Sequence, residues 1–196
     1  EKVGVRFPSK RALDIWEVHG ASVDREKNLV RAKGDLIEEA LKKCPPAYTL
    51  AARDPQQDLL LDGNHVYLGT DGCGVEVIDI QTGQKRTSKL SDVRDIARIA
   101  DATEEVAFHW VPVSAQDTTA EARGLHEVKA VWENSTKHVQ SESIYSIEEA
   151  KAVMEMAALV AGGKDKLHQR PVLSLMQCTA PPLSHDGGSL EAALIA

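Results

Sequence analysis

The chain has 196 residues, of which 42% are hydrophobic and 27% are charged, and its formal net charge is −7. The length suits one domain or two small ones, and the hydrophobic content suffices for a core. Because binding to a phosphate backbone requires a basic surface, the acidic balance argues against a nucleic-acid partner. No run of about 18 apolar residues is present to span a membrane.

Cysteine usage and the first residues bear on the cellular location. The three cysteines are widely spaced and include no C-x-x-C pair. This pattern fits a reducing cytoplasm better than a disulfide framework, so we expect a cytoplasmic protein. The opening residues, EKVGVRF, do not resemble a signal peptide. They also lack an initiator Met, and we therefore expect the natural N-terminus to lie upstream.

Residues 1–46 are predicted to be mainly helical. Ser9 is a suitable N-cap, and Gly20 follows the first apolar-periodic segment at a C′ position. A second helix is expected to end at Pro45-Pro46, because proline cannot continue a helix. Residues 23–31 between the two helices are either a short extended piece or a connector.

Residues 47–87 are predicted to form a small antiparallel β element. A strand is expected over Ala47–Ala52. Two turn signals, Asp62-Gly63-Asn64 and Gln81-Thr82-Gly83-Gln84, each separate two β-type segments and predict hairpins. The paired segments are Leu59–Leu61 with His65–Leu68, and Val75–Ile80 with Lys85–Thr87.

From Ser88 onward a β-type run, a loop and an amphipathic helix repeat. The repeats start near Val106, Lys137 and Val172, which are 31 and 35 residues apart. Parallel strands need a crossover of this size, usually a helix. The sequence therefore predicts an α/β fold, a partial (β/α)8 TIM barrel preceded by an N-terminal helical and antiparallel β element. We expect a domain of residues 1–87 and the first three β/α units of the barrel in 88–196, with the remaining strands absent, since a barrel needs about 250 residues.

Helix starts in this second part also have sequence signals. Ser88 or Ser91 is predicted to cap the helix before the first parallel strand. Ser146 and Glu149 form a capping box, in which each side chain bonds the other residue's backbone N–H. Ser189 is predicted to cap the last helix.

Candidate site residues follow from the rule that barrel enzymes place their catalytic groups at the C-terminal ends of strands. From the short list that this rule gives, the substrate-binding candidates are His109, Trp110, Gln116, Asp117, Glu142, Gln177 and His185, and no catalytic residue is assigned. The rest of the short list consists of Ser114, Gln140, Thr179, Ser184 and Asp186. The residue spacings contain no zinc motif, so no metal is expected.

Each candidate has a structural alternative. Adjacent strand residues point to opposite faces, so only one of His109 and Trp110 can face the interior. Gln116-Asp117 is also an ordinary turn and N-cap pair. His185 and Asp186 form either an acid/base pair or a simple turn. The glycine-rich Gly69–Gly74 segment matches no phosphate-loop motif and reads as a β-turn connection.

Four segments in the middle of the chain form a specific pattern by their order and spacing. They are Val77–Arg86, Asp92–Ala102, Val111-Pro112-Val113 followed by Gln116-Asp117, and Asn134–His138. In this pattern the chain resembles the trimethylamine methyltransferase family. The resemblance runs from about Leu60 to the C-terminus and is weaker in the N-terminal helices.

The resemblance implies a (β/α)8 barrel that moves a methyl group from a methylated amine to the Co(I) corrinoid (cobalamin) of a separate partner protein. No cofactor is then bound by this chain alone. Founding members of the family carry pyrrolysine, whereas other members lack it and use quaternary amines such as glycine betaine. The pyrrolysine position lies beyond Ala196, so the branch stays open. The partners implied are a corrinoid protein and a small methylated amine, with no nucleic acid and no membrane, and homo-oligomerisation is left open.

The chemistry of a methylated ammonium adds to what the resemblance implies. A quaternary ammonium leaves as a neutral amine and needs no protonation, so the protein has to hold the cation and exclude water. Aromatic faces attract such cations, and Trp110 is the preferred contact. Gln116, Gln177, His109 or His185 would donate hydrogen bonds to a substrate carboxylate, and Asp117 and Glu142 would add negative potential.

Two other functions remain open on the sequence alone. One is a different TIM-barrel enzyme of the lyase or aldolase type, which a Schiff-base lysine at a strand end would favour. Lys137 begins a strand rather than ending one. The other is a non-catalytic small-molecule binding protein.

Overall fold

The computed structural model describes residues 2–72, 74–141 and 144–195. These residues form a mixed α/β structure of two compact units. Unit 1 contains residues 1–46, 143–151 and 177–196, and unit 2 contains residues 47–142 and 152–176. No helix among the described residues has both the length and the apolar character needed to cross a membrane.

The elements are numbered in chain order. The strands are β1 (Val5–Arg6), β2 (Ser22–Asp24), β3 (Leu29–Arg31), β4 (Tyr48–Leu50), β5 (Leu59–Leu61), β6 (Leu68–Gly69), β7 (Glu76–Ile78), β8 (Lys85–Thr87), β9 (Val106–Trp110), β10 (His138–Ser141), β11 (Leu173–Leu175), β12 (Thr179–Ala180) and β13 (Ser184–His185). The helices are α1 (Lys10–Val18), α2 (Gly34–Lys42), α3 (Leu90–Ala102), α4 (Arg123–Asn134), α5 (Ile147–Ala161), α6 (Lys164–Gln169) and α7 (Gly187–Ala193), and Pro55–Gln57 forms a 3-10 turn.

Unit 1 is built on a sheet of short strands in the order β12–β13–β1–β3–β2. Strand β13 pairs with β1 in parallel, and the other pairs are antiparallel. Leu13, Ala21 and Val30 form the buried core of this unit, and Phe7 and Trp16 pack against it. The predicted helices are confirmed in α1 and α2. Of the two alternatives for residues 23–31 the extended one is confirmed, because β2 and β3 pair as an antiparallel hairpin.

Unit 2 contains a four-stranded parallel sheet in the order β6–β9–β10–β11, which is the order of these strands along the chain. Helices α3 and α4 pack against β9 and β10. The parallel pairing predicted for the three repeats is therefore confirmed. Within the described residues the sheet does not close on itself, and the barrel stays a prediction.

One of the two predicted hairpins is wrong. Strand β5 pairs antiparallel with β4, so it does not pair with residues 65–68, and β6 instead pairs in parallel with β9. The turn itself forms where it was predicted, because the Asp62 carboxylate accepts hydrogen bonds from the Asn64 N–H and from Nδ1 of His65. The second hairpin is confirmed as β7 paired with β8.

The predicted helix caps have mixed outcomes. Ser9 caps α1 by accepting the Ala12 N–H at 3.0 Å, as expected. The capping box is confirmed in one half, in which Ser146 accepts the Glu149 N–H at 3.1 Å, whereas the Glu149 carboxylate accepts the N–H of Tyr145 instead of Ser146. Ser88 and Ser91 do not cap α3, which begins at Leu90 after Lys89. Ser88 is buried, and its hydroxyl donates to the Ser114 carbonyl at 2.6 Å. Likewise α7 is capped by the Asp186 carboxylate rather than by Ser189, whose N–H donates to it at 2.9 Å.

Candidate functional site

The parallel sheet of unit 2 has two unlike faces. Paired residues of parallel strands share a face, and the register aligns Trp110 with Gln140 and Gln140 with Ser174. These residues, with Phe108, define the open face, and each of them is only half-buried. The alternate residues define the covered face, which is buried beneath the helices and comprises His109, Val139, Ser141 and Leu173.

Trp110 ends β9 and is held at its backbone by Thr70, which follows β6. The Trp110 N–H donates to Oγ1 of Thr70 at 2.9 Å, and the Thr70 hydroxyl also contacts the Trp110 carbonyl. A side-chain hydroxyl thus continues the ladder where β6 has ended. The indole N–H of Trp110 is shielded from solvent and has no hydrogen-bond partner among the described residues.

Phe108 lies directly over the neighbouring strand at Gly69. A Cβ atom at position 69 would lie 2.6 Å from the Phe108 ring, which is closer than any carbon contact allows. Any other residue at the end of β6 would therefore displace the ring, and glycine allows Phe108 to lie over this strand on the open face.

His138 occupies the start of β10 and is fully buried. Its Nδ1–H donates to the Ala51 carbonyl at 2.8 Å, so Nε2 accepts a hydrogen bond from the Ser174 hydroxyl at 3.0 Å. Burial lowers the pKa of His138, which favours the neutral ring. The segment that follows β4 thus covers the open face at the N-terminal ends of the strands. Trp110 and Gln140 lie nearer the opposite, C-terminal ends.

His109 lies on the covered face, in a chain of hydrogen bonds. Its Nε2–H donates to Oγ of Ser135 at 2.7 Å, and the Ser135 hydroxyl donates to Oδ1 of Asp101 at 2.7 Å. Burial lowers the pKa of His109 from 6.5 to about 4, with Asp101 opposing the shift. For Asp101 burial acts to raise the pKa, but the bonds from Ser135 and from the Thr136 N–H leave it below its ordinary value.

Lys137 is the second buried ionisable group beside this chain of bonds. The residue is 3% exposed, and Nζ donates to the carbonyls of Ala100, Thr103 and Val106 at 2.6–2.8 Å. Two of these carbonyls belong to the C-terminal end of α3 and the residue that follows it, where helix carbonyls lack intrahelical partners. Lys137 therefore serves as a cationic cap, and burial lowers its pKa.

The loop after β9 contains Gln116 and Asp117. The Gln116 side chain donates to the Ser114 carbonyl at 3.1 Å, within its own loop. Oδ1 of Asp117 accepts the N–H of Leu90 at 2.8 Å and so satisfies the first residue of α3. The buried Glu127 accepts the Ala115 N–H at 2.6 Å and anchors the loop to α4. Asp117 therefore caps a helix, although a different helix from the one that follows it.

The remaining candidates lie elsewhere or outside the description. Glu142 is outside the described residues. Gln177 and His185 belong to unit 1, where the Gln177 amide contacts Oγ of Ser189 and the His185 ring stacks on Phe7 at 4.8 Å. The Asp186 carboxylate is engaged as the cap of α7, as the simple-turn alternative requires.

Of the predicted residues, Trp110 alone among those described lies on the open face of the parallel sheet. Phe108, Gln140 and Ser174 accompany it on that face, and Thr70 holds its backbone. The strand-end rule placed Gln140 on the short list, but Gln140 was not taken as a substrate-binding candidate. No sequence signal pointed to Thr70, because the pairing of the preceding strand β6 with β9 was not predicted. Among the described residues no group of three or more His, Cys, Asp or Glu side chains is placed to hold a metal ion.

A parallel sheet in chain order, with crossover helices on one face and a tryptophan at a strand end on the other, defines an α/β protein built from successive β/α units. The chain belongs to the trimethylamine methyltransferase (MTTB) family, whose profile matches residues 1–196.

Curated relatives give the extent of the match. The chain is 34% identical over 183 residues to the trimethylamine methyltransferase MttB of Desulfitobacterium hafniense (strain DSM 10664 / DCB-2), which covers 93% of this chain and 37% of that protein. It is 28% identical over 193 residues to the glycine betaine methyltransferase of Desulfitobacterium hafniense (strain Y51), covering 98% and 40%. It is 27% identical over 189 residues to MttB1 of Methanosarcina acetivorans, covering 92% and 37%. The chain thus spans about two fifths of the length of these relatives.

Proposed function

We propose that this chain is part of a cytoplasmic enzyme that transfers a methyl group from a methylated amine to the corrinoid of a partner protein. Family membership supports this class of reaction, and two relatives are named for trimethylamine and glycine betaine. The observation that carries the proposal for this chain is Trp110, an aromatic residue at the C-terminal end of a parallel strand, on the face that the helices leave open.

We propose that the parallel sheet of unit 2 is the first group of strands of a (β/α)8 barrel. Successive strands of such a barrel are neighbours in chain order and parallel, as β6, β9, β10 and β11 are. The open face then corresponds to the barrel interior, and the C-terminal strand ends to its mouth. We keep the proposed division into residues 1–87 and 88–196 for the whole protein, with β6 as a contribution of the first part to the sheet.

The residues of this chain have distinct proposed tasks. The corrinoid supplies the nucleophile that accepts the methyl group, and it is carried by the partner. Trp110 offers its ring to the methylated ammonium, which favours aromatic faces. Gln140 lies beside Trp110 in the register and provides an amide for a polar substituent of the amine. Thr70 and Gly69 position Trp110 and Phe108, and His109 acts from the covered face as a positioning residue.

The other predicted contacts are retained with narrower tasks. Gln116 and Asp117 hold the loop after β9, and the Asp117 carboxylate adds negative potential on that side. Glu142 is proposed as a second source of negative potential at the end of β10. Gln177 and His185 stay proposals as donors to a substrate carboxylate.

The lyase or aldolase alternative is less well supported. It requires an amine that is free to form a Schiff base at a strand end. Lys137 begins its strand, is buried, and donates to three carbonyls. Its amine is therefore committed to the backbone.

Binding of the amines tests the proposed contact. Titration calorimetry of the chain with glycine betaine and with trimethylamine should detect binding of at least one of them. Trp110→Leu should weaken that binding by about tenfold, since a cation–π contact is worth about 1–2 kcal/mol. Phe108→Leu is the matched control. Phe108 lies on the same open face but nearer the N-terminal ends of the strands, so this substitution should change the affinity less than twofold. Binding of neither amine, or equal losses in both variants, would contradict the assignment.

Methyl transfer is tested separately. The chain is incubated with reduced cobalamin and each amine, and methylcobalamin is measured by absorbance and mass spectrometry. Formation of methylcobalamin that depends on both chain and amine is the expected result. Amine binding without transfer would contradict the activity for this chain while leaving the binding contact in place.

A further inference from the structure

Unit 1 contains a hollow of about 550 Å³, and His185 is the one residue of its described lining that the proposed methyl transfer also invokes. The hollow lies among Val5 of β1, Val30 of β3, Trp16 of α1 and Ile37 of α2. The hollow is open to solvent, and ligand pockets typically measure about 300–1,000 Å³. The hollow therefore has the size of a ligand site.

The walls of the hollow are suited to a flat apolar group. Phe7 stands between two other rings, Trp16 at 5.4 Å between ring centroids and His185 at 4.8 Å. The His185 ring is stacked on Phe7 with an interplanar angle of 26°. Apart from Lys2 at one end, the other lining residues are aliphatic or glycine, and they include Ala32 and Leu183.

The charge on the lining of the hollow favours an anion over a cation. Among the described residues that line it there is no carboxylate, and Lys2 provides a positive charge. The backbone of Lys2 is held near β3, because Arg31 Nε donates to its carbonyl at 3.3 Å. Gly4 adopts φ +89°, and a Cβ there would lie 2.8 Å from the Val30 carbonyl, so the glycine lets this segment lie close against β3. Since the chain carries a net charge of −7, non-specific attraction of anions is disfavoured.

We propose that unit 1 binds a small organic anion with a flat apolar body, of the aromatic carboxylate class. The apolar body lies against Phe7, Trp16 and His185, and the carboxylate pairs with Lys2. This site is independent of the open face of the parallel sheet, where a cationic amine is proposed.

Three probes of equal shape and different charge test the proposal. The full chain is titrated with 2-naphthoate, with 2-naphthamide and with 2-naphthylmethylammonium, by calorimetry and by Trp fluorescence. The anion should bind most tightly and the cation most weakly. Lys2→Gln should weaken the binding of naphthoate about fivefold, because an exposed ion pair is lost, and should leave the affinity for naphthamide unchanged. Absence of naphthoate binding, or a cation that binds as tightly as the anion, overturns the proposal.

Filling the hollow locates the site. Ala32→Phe and, as an independent variant on a helix, Ile37→Trp should each weaken naphthoate at least tenfold. Val18→Phe is the matched control, since Val18 is 84% exposed on α1 and does not line the hollow. Circular dichroism identifies which filled variants fold, and only those are compared. If the Ala32→Phe and Ile37→Trp variants that fold bind naphthoate as tightly as Val18→Phe does, the proposal is overturned. The proposal is also overturned if the wild type does not bind naphthoate but forms a dimer that either filling substitution dissociates. That result would assign the hollow to a second copy of the chain.

Discussion

The covered and open faces of the parallel sheet hold adjacent residues in different surroundings. On the covered face His109 is fully buried, and its Nε2 is bonded to Ser135, which is bonded to Asp101. On the open face the next residue, Trp110, is only half-buried. Each ring also has one shielded nitrogen without a partner among the described residues, Nδ1 of His109 and Nε1 of Trp110. The difference between the faces therefore lies in the side-chain network behind the sheet, which ties His109 to α3 and which Trp110 lacks.

The two histidines of the sheet make the contrast chemically specific. His109 must carry its proton on Nε2, because the Ser135 hydroxyl is already committed to Asp101. His138 must carry its proton on Nδ1, because the Ala51 carbonyl can only accept. The faces therefore select opposite tautomers of the same residue type. In each case the ring nitrogen carries the proton because its hydrogen-bond partner has no proton to donate to it.

The largest effect is expected at Lys137, behind the sheet. Lys137→Met should lower the free energy of unfolding by about 3 kcal/mol, because three carbonyls lose their donor within a buried site. Urea denaturation measures the change. Lys129→Met is the matched control, since Lys129 pairs with Glu133 on the exposed side of α4, and it should cost no more than about 0.5 kcal/mol. Equal costs would show that the buried ammonium contributes nothing to stability.

A pH dependence of similar size is expected from His109. Its pKa is about 4 in the folded chain and 6.5 ordinarily, so between these values the unfolded chain binds a proton that the folded chain does not. The stabilisation is complete above pH 6.5 and is lost as the pH falls to about 4, by about 3 kcal/mol in total. Unfolding titrations from pH 7 to pH 4 should show a loss in the wild type that exceeds the loss in His109→Leu by about this amount, because the buried His138 contributes to the loss in both proteins.

The control for this pH dependence is His168→Leu, which alters an exposed histidine of α6. It should retain the full wild-type pH dependence. If His109→Leu and His168→Leu have the same pH profile, burial of the His109 ring is not the source of the effect.

The smallest effect is expected on the open face, at Ser174. Ser174→Ala removes the hydroxyl that donates to Nε2 of His138 and should cost about 1 kcal/mol. The Nδ1–H tautomer of His138 should persist, because the Ala51 carbonyl still accepts. Nitrogen-15 NMR of the imidazole rings reports the tautomer, and denaturation reports the energy. A switch of His138 to the Nε2–H form would refute the proposed pairing with Ala51.

The strongly periodic parts of the fold were predictable. Helices α3, α4 and α5 and the parallel strands β9 to β11 follow from apolar spacing and crossover length. Strand β6 was not predictable, because it contains two residues and follows a clear turn signal at Asp62-Gly63-Asn64. A turn fixes a local change of direction but not the distant strand that the next residues join. For β6 that partner is β9.

The candidate site was predictable in part, for a related reason. Alternation along β9 establishes that His109 and Trp110 face opposite sides, but it does not tell which side the helices cover. That depends on Ser135 and Asp101, whose bonds span 26 and 34 residues. The capping task of Asp117 was likewise hidden, because the helix that it caps begins 27 residues earlier.

The chain order of the parallel strands also bears on biosynthesis. Because β6, β9, β10 and β11 are spatial neighbours in the order in which the ribosome releases them, each strand emerges to find its template already made. No strand of this sheet has to be inserted between two earlier ones. This order therefore allows the sheet to assemble during synthesis by addition of each new strand at a single growing edge.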